Sequence, residues 1–499
     1  MSSKIILDIL PVYNYNLNYN NLNYNYFMET IMNFIGRIKE LEALEREYKR
    51  KNGFVVIYGR RRVGKTTLIK KFLSDKKTLY FLANEESNRQ NLNRFTEKIA
   101  EFTQQPYIAQ SRFENWQSIF RVLAAFRPDE KKILVIDEFQ YLSGSFPAFP
   151  SVFQEVWDEI LSNNNIMVIL CGSLISLMTS QVLSHSSPLY GRRTAQIRLN
   201  PLRFEEIREA MPERSYTDLT EMYSVTGGVP KYIDFFDNEL SLWDNISANI
   251  LDRSGFLYEE PSFLLEKEVR ETVNYFSLMK TIAAGNHKLS AIAGALEMKS
   301  TSVTPYLNTL SELFMIEKRL PVTEQNPEKS KKGLYFINDN FIDFWFRFIY
   351  PFKSELEMDN DEYVINKIKK AFVENHVSFV FEAVSRELFR KCCLEGMIDF
   401  TPSKIGSYWN SDTEIDVVSV DKDNNRIFAG ECKYYERPVP ADVLFDLQKK
   451  TASVSEFRDC SIIYGIFSKS GFEKRLIDIA QTNKNIFLFN NGKIQSSAI

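Results

Sequence analysis

The sequence is poor in the residues that clasp metals or staple secreted folds. Its five cysteines, Cys171, Cys392, Cys393, Cys432 and Cys460, include no CxxC pair. That excludes a disulfide framework and a zinc ribbon. The three histidines, His185, His287 and His376, stand far apart, so metal chemistry here has to use carboxylates. No apolar run approaches the ~20 residues that span a bilayer, so no membrane partner is expected. Ile5–Leu10 is apolar but short, is interrupted by Asp8, and precedes no small-residue cleavage site. It does not read as a signal peptide, and a cytoplasmic location is the expectation. A formal net charge of −3 leaves no global basic field, so any DNA site has to be a local patch. What remains is an ordinary globular composition, 44% hydrophobic and 25% charged over 499 residues, long enough for roughly two to four domains.

The chain changes character along its length. Residues 13–26 hold seven Asn and five Tyr in fourteen positions. Such a tract has nothing with which to build a core, and residues 1–31 are expected to form a disordered tail. Met28 and Met32 would each be a sensible start. From Met32 an apolar stripe at Ile38, Leu41, Leu44 and Tyr48 predicts a helix. Strands are predicted at Phe54–Tyr58, Thr78–Ala83, Ile133–Ile136 and Ile166–Cys171. Helices fall at Lys65–Leu73, Glu97–Phe102 and Trp116–Phe126. This alternation implies a parallel sheet. Residues 203–265 read as mostly helical, broken at Gly227-Gly228-Val229-Pro230. Helices at Glu268–Ala284, Leu289–Ala295 and Ser302–Leu313 precede an extended Met315–Pro321. An acidic connector, 355–362, leads into a final α/β segment. There, strands at 414–420 and 426–434 face each other across the turn Asp423-Asn424-Asn425.

Gly59-Arg60-Arg61-Arg62-Val63-Gly64-Lys65-Thr66 matches GxxxxGK[ST] at every fixed position. The glycines let backbone N–H groups close around phosphates, and the following helix N-terminus favours negative charge. Lys65 would reach the β and γ phosphates of ATP, and Thr66, followed by Thr67, would ligate Mg2+. The apolar strand ending in Asp137-Glu138 delivers two carboxylates to the carboxyl edge of a parallel sheet, where ligands bind. Asp137 would hold the magnesium and Glu138 would polarise the attacking water. Ser173, after the next apolar strand, either senses the γ-phosphate or belongs to a plain Gly-Ser turn. Arg192 and Arg193 are either a solvated pair or a source of transition-state charge, in the same chain or a neighbour.

Phe34-Ile35-Gly36-Arg37, GRRRVGKT, LVIDEFQYL, LCGS, LYGRRT and GGVPKY occur in this order. In this they resemble the archaeal-type ATPases, which are similar to AAA+ proteins and to the STAND signal-transduction NTPases. The resemblance covers roughly 32–265 and implies an ATPase core with a helical lid. Pro230 stands where many AAA+ proteins place a sensor arginine, which fits a slow switch better than lid-driven hydrolysis.

Residues 268–321 have the helix–helix–helix–strand order of a winged helix, with a recognition helix beginning near Ser300-Thr301-Ser302. Its polar N-terminal residues suit base edges or phosphates, and Lys329, Lys331 and Lys332 cluster in the wing. Both DNA and a protein partner remain open for this unit.

In the last segment Glu414-Ile415-Asp416 and Gly430-Glu431-Cys432-Lys433 lie on facing strands. The two-residue strand period puts Glu431 and Lys433 on one face, and a hairpin would bring Asp416 beside Glu431. Two carboxylates can hold Mg2+ or Mn2+, and the lysine can steady a hydroxide nucleophile. These residues resemble the PD-(D/E)xK nuclease superfamily of restriction enzymes and Holliday-junction resolvases. The resemblance implies catalytic roles for Asp416, Glu431 and Lys433. It adds Glu382 on the preceding helix and Gln448 as an accessory glutamine. Ile415-Asp416 replaces the leading Pro-Asp.

The expected fold class is α/β: a P-loop NTPase core (32–200) with a helical lid (201–265), a winged helix with connector (266–354) and a restriction-endonuclease-like α/β domain (355–499). The expected function is an ATP-hydrolysing switch acting on DNA and coupled to a metal-dependent nuclease domain. The alternative is a non-cleaving DNA-binding or signalling regulator. DNA, and a second copy of the chain in a homo-oligomer, are the expected partners.

Overall fold

The computed structural model describes residues 34–496. The tail expected over 1–31 lies outside the described residues. After helix α1 (Ile38–Lys49), five strands form one parallel sheet in the order β2-β3-β4-β1-β5: β1 Phe54–Tyr58, β2 Thr78–Leu82, β3 Lys132–Asp137, β4 Ile166–Gly172 and β5 Ala195–Arg198. The sequence pattern explains the order. β1, β3 and β4 are buried at every position, as expected for central strands covered on both faces. β2 and β5 alternate buried with more exposed residues and take the edges. Burying a side chain such as Phe54 or Ile169 contributes about 1.5–3 kcal/mol, so a charge at either position would break this layer. Register sets Tyr58 beside both Gly172 and Arg198, and Leu82 beside Asp137. The carboxyl ends of the strands therefore share one edge, and helix α2 (Lys65–Leu73) leaves from it.

Beyond β5 the chain is helical up to residue 312, including α3 (Tyr216–Thr226) and α4 (Glu260–Glu268). The helix expected over Glu268–Ala284 begins instead at Thr272, as α5 (Thr272–Ala283). Val269 takes extended backbone with its side chain buried and ends α4 first. α6 (Leu289–Ala295) and α7 (Ser300–Glu312) follow. Strand β6 (Ile316–Arg319) then pairs antiparallel with β7 (Leu334–Ile337). The sequence pattern did not single out β7. The loop between them exposes Lys329, Lys331 and Lys332. Helix α8 (Asn340–Phe348) is capped by Asp339, whose Oδ1 accepts the Ile342 N–H at 2.9 Å.

The C-terminal sheet has six strands in the order β13-β12-β11-β10-β9-β8: β8 Lys404–Trp409, β9 Glu414–Asp421, β10 Arg426–Lys433, β11 Ser461–Ser468, β12 Ile486–Asn490 and β13 Lys493–Ser496. It is mixed: β10, β11 and β12 run parallel, and the remaining pairs are antiparallel. The strand period divides its side chains. Val417, Phe428 and Phe467 join one apolar cluster with helix α9 (Ser378–Leu394). Val418, Ala429 and Ile466 join another with α10 (Asp442–Ser453) and α11 (Lys474–Thr482). The first cluster is continuous from Leu202 through Trp345 to Phe489. The helical middle of the chain and one face of the last sheet thus share a core. No helix among the described residues is long and apolar enough to cross a membrane.

Candidate nucleotide site and C-terminal carboxylate face

The loop between β1 and α2 is shaped by backbone that few side chains tolerate. Gly59 has φ 153°, Arg62 71° and Gly64 91°. A Cβ on Gly59 would stand 2.3 Å from the Leu199 carbonyl oxygen, so the loop passes too close to the end of β5 for any other residue. Arg37, buried, pins the outside of the loop. Its Nη2 donates to the carbonyls of Val63 (3.0 Å) and Asn200 (2.6 Å). Lys65 donates to the carbonyls of Gly59 (2.7 Å) and Arg60 (2.8 Å). Burial pulls its ammonium below the ordinary lysine value, against the pull of nearby Cys171, Glu138 and Asp137. A buried cation in a ring of backbone dipoles is a ready phosphate ligand.

Strand β3 brings its two carboxylates to the same place. Asp137 Oδ2 lies 3.5 Å from Thr66 Oγ1, accepts the Tyr80 hydroxyl, and Asp137 Oδ1 accepts the Glu138 N–H at 2.9 Å. Glu138 sits at φ 53°, a left-handed backbone that a long side chain adopts only under constraint. Its Oε2 accepts Ser173 Oγ–H at 2.8 Å and an N–H from Gln140. Ser173 therefore orients Glu138. Gln140 Oε1 is buried without a partner. The hydroxyl–carboxylate pair Thr66 and Asp137 is the hard-oxygen set that Mg2+ takes. The residues present fit a magnesium nucleotide.

The remaining loop arginines, all half-buried, reach across to other parts of the chain. Arg60 Nη2 meets Asp339 Oδ2 at 2.5 Å, Arg61 donates to Tyr141 Oη at 3.2 Å, and Arg62 pairs with Glu260 while lying 4.2 Å above the Phe256 ring. Arg192 and Arg193 require a correction. They precede β5, whose first residue Ala195 pairs with Val55 at the amino end of β1, so they sit at the opposite end of the sheet from the loop. Arg192 grips Asp158 with Nε–Oδ1 3.0 Å and Nη2–Oδ2 2.8 Å, and Arg193 donates to the Leu183 carbonyl at 3.3 Å. Within one chain they do not reach the nucleotide loop.

The C-terminal hairpin pairs Gly430 with Val417, which sets Asp416 beside Glu431. Asp416 Oδ2 accepts the Cys432 N–H at 2.8 Å. Glu431, 7% exposed, receives Lys433 Nζ on Oε1 at 2.9 Å. Helix α9 adds Glu382, held 3.5 Å from Arg386, whose Nη1 also donates to the Asp416 carbonyl at 2.7 Å. Burial and then the neighbouring Asp416 push the Glu382 carboxyl up; burial and then Glu431 push Asp416 up. Burial lowers Lys433, but Glu431 outweighs it and the ammonium is held above its usual value.

Helix α10 also brings a residue to Glu431 that the sequence reading did not name. It is Lys450, whose Nζ bridges both Glu431 oxygens at 3.0 and 2.9 Å, and Gln448 makes no side-chain hydrogen bond to the carboxylates. The buried stripe of α10 is Leu444, Leu447 and Thr451, and Gln448 and Lys450 flank it on opposite sides, both half-buried. The carboxylates expected to hold a metal, Asp416 and Glu431, already have partners here. Both Glu431 oxygens are taken by ammonium groups, and among the described residues no group of three or more His, Cys, Asp or Glu could hold a metal ion. As arranged, this face does not fit a divalent ion. Sequence reasoning missed Tyr80, Gln140, Asp339 and Lys450. Only Asp339 had a local signal, as a capping residue before an aromatic helical run.

A parallel sheet in the order 2-3-4-1-5, with a phosphate loop after β1 and two acids after β3, defines the P-loop ATPase class. Residues 34–236 match the model of an ATPase domain predominantly from Archaea, and 345–452 match a family of Archaea bacterial proteins of unknown function. An uncharacterized protein of Methanocaldococcus jannaschii is 36% identical over 402 residues, 80% of this chain and 87% of that protein. An uncharacterized ATP-binding protein of the same organism is 55% identical over 51 residues, 10% of this chain and 86% of that protein. Among solved structures, a Walker-type ATPase of Pyrococcus abyssi is similar with TM-score 0.48 and 20% identity, covering 63% of this chain and 96% of that one. The chain belongs to the family of its M. jannaschii relative, proteins carrying this ATPase domain found predominantly in Archaea.

Proposed function

We propose that the chain is an ATP-binding and ATP-hydrolysing switch that acts on DNA and passes its nucleotide state to a nuclease-like C-terminal domain. The observation that carries this reading is the assembly of Lys65, Thr66, Asp137 and Glu138 at one sheet edge. The loop N–H groups and Lys65 hold the phosphates. Magnesium, held by Thr66 and Asp137, would neutralise phosphate charge. Ser173 and Gln140 fix Glu138 through Oε2, leaving Oε1 to accept the proton of the attacking water. That water's oxygen bonds to the γ-phosphorus as the bond to the β-γ bridging oxygen breaks, and ADP leaves. The α5–α7 helices and the β6–β7 hairpin act as the winged helix, with Lys329, Lys331 and Lys332 facing DNA phosphates. A protein partner is the other occupant of that surface. Arg192 or Arg193 would serve hydrolysis only from a neighbouring copy in a homo-oligomer.

Asp416, Glu431, Lys433 and Glu382 support a nuclease-like effector. The bridge from Lys450 to Glu431 favours a second reading, a domain that binds DNA without cutting it, and no cleavage step is derived through a metal there. The test is incubation of the purified chain with single-stranded, duplex, nicked and branched DNA, in Mg2+ or Mn2+, with and without ATP. Cutting that Asp416→Ala abolishes, with ATP hydrolysis retained, supports the nuclease arm. Binding without cutting supports the regulator, and neither binding nor cutting removes DNA from the account.

A further inference from the structure

All three arginines of the phosphate loop are tied to later parts of the chain, and two of them to buried carboxylates. Arg60 runs to Asp339 at the cap of α8, and Arg62 runs to Glu260 at the start of α4. Both acceptors are buried, Glu260 at 1% and Asp339 at 7% exposure, and Glu260 also accepts the Tyr232 hydroxyl at 2.8 Å. Burial pushes the Asp339 carboxyl up, and Arg60 opposes that push. The pairing is incomplete on the arginine side: Nε and Nη1 of Arg60 are buried with no hydrogen-bond partner. Buried, unsatisfied guanidinium nitrogens are costly. Nε and Nη1 lie on separate edges of the guanidinium, each sharing its edge with the Nη2 that Asp339 holds, so each is left to donate singly to an acceptor oxygen, of which a phosphate carries several. Arg60 is the residue next to Gly59, inside the loop that forms the phosphate cradle.

We propose that Arg60 is the nucleotide-sensing residue of this ATPase, its guanidinium shared between the terminal phosphate of bound nucleotide and Asp339. This rests on the ATP reading above. ATP offers one more phosphate than ADP, so it competes better for the free side of Arg60 and draws the group from Asp339. Asp339 would still cap α8 but would lose its partner. α8 is itself wired onward. Asp343 Oδ2 lies 3.1 Å from His376 Nδ1, His376 Nε2 lies 2.7 Å from the Ser224 carbonyl, and α9, which carries Glu382, begins two residues later.

The test is the ratio of ATP to ADP affinity in the full chain, measured by calorimetry with a non-hydrolysable ATP analogue and with ADP. Asp339→Asn keeps the helix cap and weakens the competing anion. It should raise the ratio by about 10-fold, the scale of one charge-assisted hydrogen bond. Arg60→Ala should bring the ratio down toward one, and Arg60→Lys should fall between wild type and Ala. A purely structural pair would shift the melting temperature and leave the ratio alone. Ratios within about twofold of wild type in Asp339→Asn and Arg60→Lys would overturn the proposal, even if Arg60→Ala does not fold. Wild type that binds neither nucleotide would overturn the ATP reading itself.

Discussion

The nucleotide edge and the C-terminal carboxylate face are built from similar parts to opposite effect. Each sets acidic groups near a lysine at a sheet. At the nucleotide edge the lysine donates to backbone carbonyls, and the carboxylates are held by hydroxyls, an amide and N–H groups. Charge there is left available for a ligand. At the C-terminal face Lys433 and Lys450 both bind Glu431, so opposite charges satisfy one another. Matching residue types in a matching neighbourhood therefore do not make matching sites: what decides is which partner each charged atom already has.

The comparison breaks most decisively at Lys65. Lys65→Ala should weaken ATP binding by on the order of 100-fold, since the ammonium makes more than one charge-assisted contact with phosphate. Unchanged affinity by calorimetry would mean the nucleotide sits elsewhere. Lys450→Met sharpens the other side. Freeing Glu431 Oε2, with Lys433 still on Oε1, should raise Mn2+ affinity by about 10-fold, read by electron paramagnetic resonance. No gain would mean that Lys450 does not keep the face closed to metal. Reversing Lys331 and Lys332 to Glu should weaken DNA binding and flatten the log–log salt slope by about two; an unaltered slope would point to a protein partner. The smallest effect is at Glu387, whose carboxyl burial pushes up to about 7 against the pull of Arg203. A folded state that holds this proton more tightly than the unfolded chain loses stability as pH rises from the ordinary glutamate value toward 7. Glu387→Gln should therefore raise the melting temperature at pH 8 and lose that advantage near pH 4. An equal gain at both would rule out titration of Glu387 as its source.

The nucleotide edge was legible in the sequence because its chemistry is local. GRRRVGKT is contiguous, and Asp137-Glu138 follow an unbroken apolar strand, so strand ends and loop fix their own geometry. The C-terminal face was only partly legible. The pairing of β9 with β10 follows from alternation and an Asn-rich turn, which placed Asp416, Glu431 and Lys433. The bridge from Lys450 depends on a long side chain reaching in from the margin of the buried stripe Leu444, Leu447 and Thr451, which no local pattern announces. The place of Arg192 and Arg193 was not legible, because a cationic pair between two strands carries no mark of which end of the sheet it occupies; the register of Ala195 with Val55 reveals it. The ties from Arg60 to Asp339 and from Arg62 to Glu260 span hundreds of residues of sequence, and no local pattern announces them.

The central claim is that nucleotide state at the loop governs what the chain does to DNA. The most direct measurement is the affinity of the full chain for a panel of DNA forms with the non-hydrolysable ATP analogue, with ADP and with no nucleotide. The account predicts that at least one form binds several-fold differently with the ATP analogue than with ADP, and that Lys65→Ala erases the difference. Equal affinity for every form in all three conditions, in a protein that binds both nucleotides, would contradict it.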